Sequence, residues 1–463
     1  MVNKKLLAAI VIVIVIVAAS AAVWQLMLVP SEQTVKIGLV ACYDKAEGQD
    51  MDRAAKMAVK EINDAGGVYV ADLDAYLKIE LVIADTEDDS PGKAVSPVTR
   101  AILEDGVDLL VGGYTSSGTL ADQVVAIENR VPYIITGASS SLVTRRGPQG
   151  NYGGLPEGDP LRIADAEGMS YMFHYCTTTY DYSKTVANFF ADSMKPLLDS
   201  TYGFAASREL RLAIIYRDDA FGKGVVADTK SIIANNNLPI DVVIERSYPT
   251  TATNFQTDLT AIKDAKPDAV YVVDFIAGTA EIIKQGQRDV GLNTVYIAVE
   301  CCEDPQFYTL LGTYGDKQLL ESKFAPYAGP PFYLPIIGTY VTTYQQTYDT
   351  LPGMMGADTY DAFYIAKDAI ERAGTLDKAA VRDALESTAM DQLLIITETG
   401  KIEFSTGATY HEIAPVTFVE QLVWNENVGE CRSVIVYPAT APGVPTLKQA
   451  DFVLPTGYQP GSP

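Results

Sequence analysis

The chain has 463 residues, with 59 acidic against 35 basic side chains, a net charge of −24 and 48% apolar residues. That length exceeds one ordinary core and suits two domains, and the acidic balance excludes the basic stripe a nucleic-acid binder needs. Two histidines, His174 and His411, and five scattered cysteines without C-x-x-C spacing leave a zinc centre or a histidine base poorly supplied, so neither a metal nor a cofactor is expected.

Lys4 and Lys5 precede an unbroken run from Leu6 to Trp24, 19 residues in which Ser20 is the one polar member. About 20 helical residues cross a bilayer core, so residues 1–30 are expected to form a signal or anchor helix. The length favours an uncleaved anchor, while Ala18-Ala-Ser-Ala-Ala22 offers a cleavage site. Either way the lysines stay inside and the rest is exported. No cysteine follows closely enough for a lipoprotein anchor, and no second run of this length follows to make a pore.

Beyond a tether at Pro30 to Thr34, buried-strand runs alternate with amphipathic segments. Val35–Val40 is a predicted strand; Met51, Ala55, Ala58 and Ile62 recur at helical spacing, and Gly66-Gly67 ends that helix. Strands at Leu81–Ala84, Val107–Val111 and Val131–Ile135 follow, with a helix carrying Val98 and Ile102 among them. The glycine- and proline-rich stretch Arg145–Gly168 breaks the rhythm as a surface excursion. Alternation then resumes at Leu212–Ile215, Val242–Ile244, Ala269–Val273 and Val295–Ala298, before a helical region from about Tyr340 to Ala373 and a strand-rich end from Leu393. Such βαβ units build parallel sheets covered on both faces. The expected fold is therefore α/β, with two doubly wound parallel-sheet lobes. Ligands bind beyond the carboxyl ends of such strands, and two facing lobes make a cleft that closes by a hinge.

Three groups of residues sit where that cleft falls. Gly112-Gly-Tyr-Thr-Ser-Ser-Gly-Thr119 follows a strand and places Ser116, Ser117 and Thr119 at the start of a helix expected from about Leu120. Hydroxyls and free N–H groups at a helix start favour an anion, although an ordinary N-cap has the same residues. Thr136-Gly-Ala-Ser-Ser-Ser141 repeats the pattern after the next strand, with Gly137, Ala138 and Ser139 facing the same crevice. Glu300 ends the strand Val295–Val299, where a carboxylate entering a cleft can hold an ammonium group. Phe221 and Phe275, just past two further strands, supply apolar wall.

With these residues in hand the chain resembles the branched-chain amino-acid-binding family of periplasmic receptors, the leucine/isoleucine/valine-binding proteins. Ala58-Val-Lys-Glu-Ile-Asn-Asp-Ala-Gly-Gly67, Gly106-Val-Asp-Leu-Leu-Val-Gly-Gly113, Val131-Pro132, Phe221-Gly222, Pro267-Asp-Ala-Val270 and Tyr360-Asp-Ala-Phe-Tyr364 carry the likeness from about Val35 to Pro438. The resemblance implies the type I periplasmic binding fold with a multi-segment hinge. It places the first lobe at 35–177 and 328–415, and the second at 178–327 and 416–463. It implies that Ser116 and Ser139 take a ligand α-carboxylate, and that the Gly137 carbonyl and Glu300 take its α-ammonium. It also implies an extracytoplasmic solute-binding protein, not an enzyme, that hands an amino acid to an ABC permease and its ATPases.

Two departures qualify the likeness. Glu47 stands where the branched-chain receptors carry an aromatic residue, with Phe221, Phe275 and Met355 as the other walls, so a polar, basic or other amine-bearing solute is expected. Thr115 occupies a position of the family's first-lobe disulfide, so that bridge is missing, and the pair Cys301-Cys302 beside Glu300 reads as a local structural feature without an assigned role. No GxGxxG follows the first strand and no paired acids form a catalytic motif, which argues against an enzyme. A sensory receptor component using the same fold is the alternative; it would ordinarily need an output domain that the sequence does not encode.

Overall fold

Val35-Lys-Ile-Gly-Leu-Val-Ala41 is mostly apolar and buried along nearly its whole length, so it lies inside a sheet covered on both faces. The computed structural model describes residues 33–87, 90–326, 335–444 and 446–461. The expected anchor at 1–30 lies outside them, and among the described residues no helix is long and apolar enough to cross a membrane.

In chain order the first half comprises β1 (Val35–Ala41), α1 (Ala46–Asp64), β2 (Ile79–Asp85), α2 (Pro91–Leu103), β3 (Leu109–Gly112), α3 (Ser116–Glu128), β4 (Tyr133–Ile135) and β5 (Met172–His174). These strands form one parallel sheet in the order β2-β1-β3-β4-β5. Then come α4 (Thr179–Phe189), β6 (Leu210–Arg217), α5 (Ala220–Asn235), β7 (Ile240–Tyr248), α6 (Gln256–Asp264), β8 (Ala269–Val273), α7 (Ile276–Gln285), β9 (Val295–Ala298), α8 (Pro305–Leu311) and β10 (Leu319–Ser322). The chain returns to pack α9 (Pro335–Tyr348) and α10 (Met354–Ala373) against α1, with α11 (Lys378–Glu386) against α10. It ends with β11 (Phe418–Asn425) and β12 (Glu430–Tyr437).

The second sheet has the order β12-β11-β10-β9-β8-β6-β7. Its β7-β6-β8-β9-β10 portion repeats the strand order of the first sheet, so each lobe is doubly wound with a switch point beside its first strand. β11 pairs antiparallel with β10, and β12 pairs antiparallel with β11, which extends an otherwise parallel sheet. The chain thus passes between lobes at 175–178, between β10 and α9, and at 414–417. These crossings form the hinge. His174 donates its N–H to the His411 carbonyl at 2.8 Å, which ties together the segments that lead into the first and third crossings.

Several expectations need correction. The helix after the Gly112–Thr119 motif begins at Ser116, not near Leu120, because Thr115 caps it by accepting the Gly118 N–H at 3.0 Å. The helical stretch from Tyr340 to Ala373 is two helices, broken between Tyr348 and Met354, with Asp349 in the left-handed region at φ 54°. The excursion from Arg145 holds short helical turns and is anchored to the hinge, where Arg145 Nε reaches Glu412 at 2.6 Å.

Candidate functional site

The carboxyl ends of β3, β4, β8 and β9 converge between the lobes. There Ser116, Gly137 and Ser139 of the first lobe share one inner pocket with Phe221, Phe275 and Cys301 of the second, together with Tyr114, Thr115, Tyr182, Met354 and Met355. In this closed arrangement the remaining space is only ≈ 10 Å³, about one water's worth. A solute therefore enters by opening the lobes, not by filling a ready cavity.

Ser116 is the first residue of α3, and its Oγ accepts the Ser140 N–H at 3.1 Å. That bond uses one lone pair of the hydroxyl, so its O–H can still donate beside the positive end of the helix. Gly137 lets the β4 loop close on the β3 loop, since a Cβ there would sit 2.6 Å from the Gly113 carbonyl oxygen. Ser139 is buried, and its carbonyl accepts the Thr179 N–H that opens α4. Ala138 is also buried, but its carbonyl is engaged by the His174 Nε2 at 2.7 Å. Burial drives that imidazole down to about 3, so the ring is neutral and Nε2–H donates. Ser117 is half-buried on the next turn position and does not line the inner pocket.

The opposite wall is aromatic. Phe275 stacks on Phe221 with centroids 5.8 Å apart and 8° between planes. Its other neighbours are Tyr114, at 5.6 Å, and the Arg217 guanidinium, 4.1 Å from the ring centre. Arg217 is held at the switch point of the second sheet by Asp219 at 2.5 Å and Asp274 at 3.1 Å.

Phe275 also separates the inner pocket from an outer cleft of ≈ 860 Å³ lined by Asp44, Glu47, Arg217 and Asp274. Glu47 belongs to this outer cleft and does not line the pocket with the serines. Its buried carboxyl meets the backbone N–H of Ile276 at the start of α7, across the lobe boundary. Burial, then the neighbouring Asp304 charge, pushes it up to about 7.

Glu300 is fully buried and faces the Tyr182 hydroxyl behind the pocket. The structure commits its carboxylate to Lys323, whose Nζ lies 2.8 Å from Glu300 Oε1 and 2.5 Å from Asp358 Oδ2, all three side chains being fully buried. The expected open carboxylate is therefore paired inside the protein. Lys323 follows β10 directly in a hinge crossing, and Asp358 lies on α10. The backbone there is fixed by Glu303, which accepts the N–H groups of Lys323 at 3.3 Å and Phe324 at 3.2 Å.

Sequence reasoning missed Lys323 and Asp358, as well as Tyr114, Tyr182 and Met354. Tyr114 and Thr115 lie within the motif already singled out, so the side-chain alternation after β3 was the available signal. Nothing local marks Lys323, because its strand is short and carries buried Glu321 and Ser322. The five cysteines are all buried free thiols; the Cys301 and Cys302 sulfurs both lie against the Asp274 carbonyl, at 3.3 and 3.9 Å.

Residues 34–421 match the family model described as Periplasmic binding protein. The chain belongs to that family. It is 21% identical over 377 residues to the Leu/Ile/Val-binding protein homolog 7 of Brucella abortus (strain 2308), covering 79% of this chain and 84% of that one. The branched-chain amino acid transporter substrate binding protein of Streptococcus pneumoniae, solved with isoleucine, superposes with a TM-score of 0.66 at 19% identity, covering 87% of this chain and all (100%) of that one. A solute binding protein from Rhodopseudomonas palustris BisB5, solved with 3,4-dihydroxybenzoic acid, gives 0.66 at 20% identity over 89% and 99% of the two chains. These likenesses share the type I periplasmic binding fold. As a member of the family, the protein is an extracytoplasmic binding protein and not an enzyme.

Proposed function

We propose that this receptor captures a small carboxylate-bearing solute between its lobes and delivers it to an ABC permease. One observation carries the reading. The Ser116 and Ser139 hydroxyls, beside the start of α3, share a pocket with an aromatic wall contributed mainly by the other lobe. Hydroxyl and N–H donors at a helix start suit a carboxylate. The rings suit an apolar body. Each half-site alone is incomplete, so the solute favours the closed form through contacts that the open form lacks.

An amino acid is the first candidate, supported by the Leu/Ile/Val-binding relative and the isoleucine-bound neighbour. An aromatic acid is the second, supported by the stacked rings of Tyr114, Phe275 and Phe221 and by the neighbour bound to dihydroxybenzoic acid. The lobe limits, 35–177 with 328–415 and 178–327 with 416–463, belong to this proposal. Anchoring through residues 1–30 belongs to the same proposal.

Native mass spectrometry of the purified protein, followed by calorimetry with the co-purified solute, tests the reading. The solute is expected to carry a carboxylate and to lose affinity in a Ser116→Ala, Ser139→Ala double variant. A bound solute without an acidic group, or one indifferent to both serines, removes the assignment.

A further inference from the structure

Cys301 and Cys302 are neighbours both in the chain and in space. They end the single 3-10 turn Glu300–Cys302, a geometry in which successive side chains diverge by about 120°. Here both sulfurs converge instead on the Asp274 carbonyl, Cys301 Sγ at 3.3 Å and Cys302 Sγ at 3.9 Å, and the two thiols face each other. Cys301 also lines the inner pocket and, at 5%, is the most exposed of the five buried thiols. Opening the lobes bares this wall and with it the Cys301 sulfur.

We propose that Cys301 and Cys302 form a thiol switch in the pocket wall: a small disulfide entering the open cleft oxidises them to a vicinal disulfide, and the oxidised pair keeps the lobes from closing. Neither step depends on which solute the pocket takes. With a reagent RSSR, the Cys301 thiolate attacks one sulfur and expels RS⁻, which takes up the thiol's proton. Cys302 then loses its proton and attacks Cys301 Sγ, expelling the second RS⁻. One S–S bond of the reagent breaks, one forms in the protein, two electrons pass from the pair to RSSR, and two RSH leave. Burial, and after it the Cys302 thiol, holds the Cys301 thiol well above its usual range in the closed form, so attack proceeds from the open form. Neighbouring Cα atoms lie about 3.8 Å apart, short of the roughly 4.4–6.8 Å of ordinary disulfides. The bond is therefore strained, and a dithiol reductant reverses it.

The same turn joins the pocket to the hinge. The Glu303 N–H closes it on the Glu300 carbonyl at 2.8 Å, and the Cys302 N–H on the Val299 carbonyl at 3.0 Å. Ring formation twists the Cys301–Cys302 peptide out of that geometry. On one side Glu300 pairs with Lys323 in the second crossing. On the other the Glu303 carbonyl accepts the Met354 N–H, at the start of α10, at 3.3 Å. With only ≈ 10 Å³ left in the closed pocket, a displaced Cys301 has no space to move into.

The reduced full chain is incubated with oxidised glutathione, then unfolded, labelled with N-ethylmaleimide and mapped by peptide mass. The peptide holding Cys301 and Cys302 is expected to lose two hydrogens and take no label, and dithiothreitol to restore both labels. Cys302→Ser is expected to stop at a glutathione adduct on Cys301. A wild-type peptide that stays fully labelled, stops at the adduct or pairs with another cysteine overturns the switch. Small-angle scattering reads the second step. The oxidised wild-type chain is expected to show a larger radius of gyration than the reduced chain, and dithiothreitol to reverse the change. Unchanged scattering with the disulfide formed overturns the link to closure. Should Cys302→Ser not fold, the wild-type masses and scattering decide alone.

Discussion

Tyr114 of the first lobe and Phe275 of the second stack with ring centroids 5.6 Å apart and 24° between planes, so a single aromatic contact spans the cleft. Phe275 also lies against Phe221 and under Arg217, which makes it the ring through which both switch-point loops meet. Each aromatic pair contributes about 0.5–1.5 kcal/mol beyond burial. Phe275→Ala should therefore weaken the closed state by roughly 1–3 kcal/mol, and raise the unliganded open population about tenfold or more. Small-angle scattering is the measurement. A larger radius of gyration without solute, brought back by saturating solute, is the expected outcome, and unchanged scattering argues that closure is held elsewhere.

Ser116 has two tasks that a single substitution separates. Its Oγ accepts the Ser140 N–H at 3.1 Å, and the residue lines the inner pocket. Ser116→Ala should cost solute affinity by about 1–3 kcal/mol, the range for a hydrogen bond to a charged group. Ser116→Thr keeps the hydroxyl and should recover most of that loss. Calorimetry on both variants checks the pair, and equal losses in both point to backbone disturbance instead of a missing donor.

Much of this arrangement is legible in residues that must be buried on both faces. β1 and β8 announce themselves because Val35–Ala41 and Ala269–Val273 are almost wholly apolar. The glycine and hydroxyl runs after β3 and β4 point to the cleft because glycine and hydroxyl residues cluster where strands hand over to helices. The hidden parts are those whose burial is polar. β10 carries Glu321 and Ser322 in its buried run, so its periodicity resembles a loop and gives no sign that Lys323 follows it. Asp358 and Asp361 sit in the middle of α10 as fully buried acids, where an amphipathic pattern would assign them to solvent. Their partners, Lys323 for Asp358 and Tyr175 for Asp361, come from other hinge segments. Long-range pairing of this kind leaves no local trace. For the same reason the sequence marks Glu300 as an acid at a strand end without its counter-ion Lys323, and Glu47 as unusual without its place in the outer cleft.

Gly137 is a steric requirement that tests the first-lobe half of the site on its own. A methyl there would sit 2.6 Å from the Gly113 carbonyl oxygen and 3.2 Å from that of Tyr114. Both contacts are backbone, so neither can swing aside. Gly137→Ala should push the β3 and β4 loops apart, lower stability by about 1–3 kcal/mol and weaken solute binding further, since Ser116 and Ser139 would separate. Thermal unfolding and calorimetry together check this. A variant with a lowered melting temperature and full affinity would mean that the two loops do not act as one carboxylate cradle.

The acids at the lobe boundary give a pH dependence of definite sign. Glu47 and Asp50 of α1 are each pushed up to about 7, by burial first and by the facing Asp304 second, although Asp50 accepts bonds from the Tyr344 hydroxyl at 2.7 Å and the Gly356 N–H at 2.6 Å. Asp304, at the start of α8, rises to about 6 through burial, opposed by the Gln306 N–H and the Arg53 charge. In the folded chain these groups keep protons that the unfolded chain releases near pH 4. Their stabilisation is therefore complete below about pH 4 and is lost as the pH rises through the folded values, about 6 for Asp304 and about 7 for the other two. Across pH 5 to 8 the melting temperature should fall, with Glu47 alone contributing on the order of 2 kcal/mol. The net charge of −24 acts in the same direction through self-repulsion, so the control matters. Glu47→Gln should flatten the fall, whereas neutralising an exposed acid, Asp72→Asn, should leave its slope nearly unchanged. Equal slopes in all three proteins would assign the dependence to overall charge and not to the buried acids between the lobes.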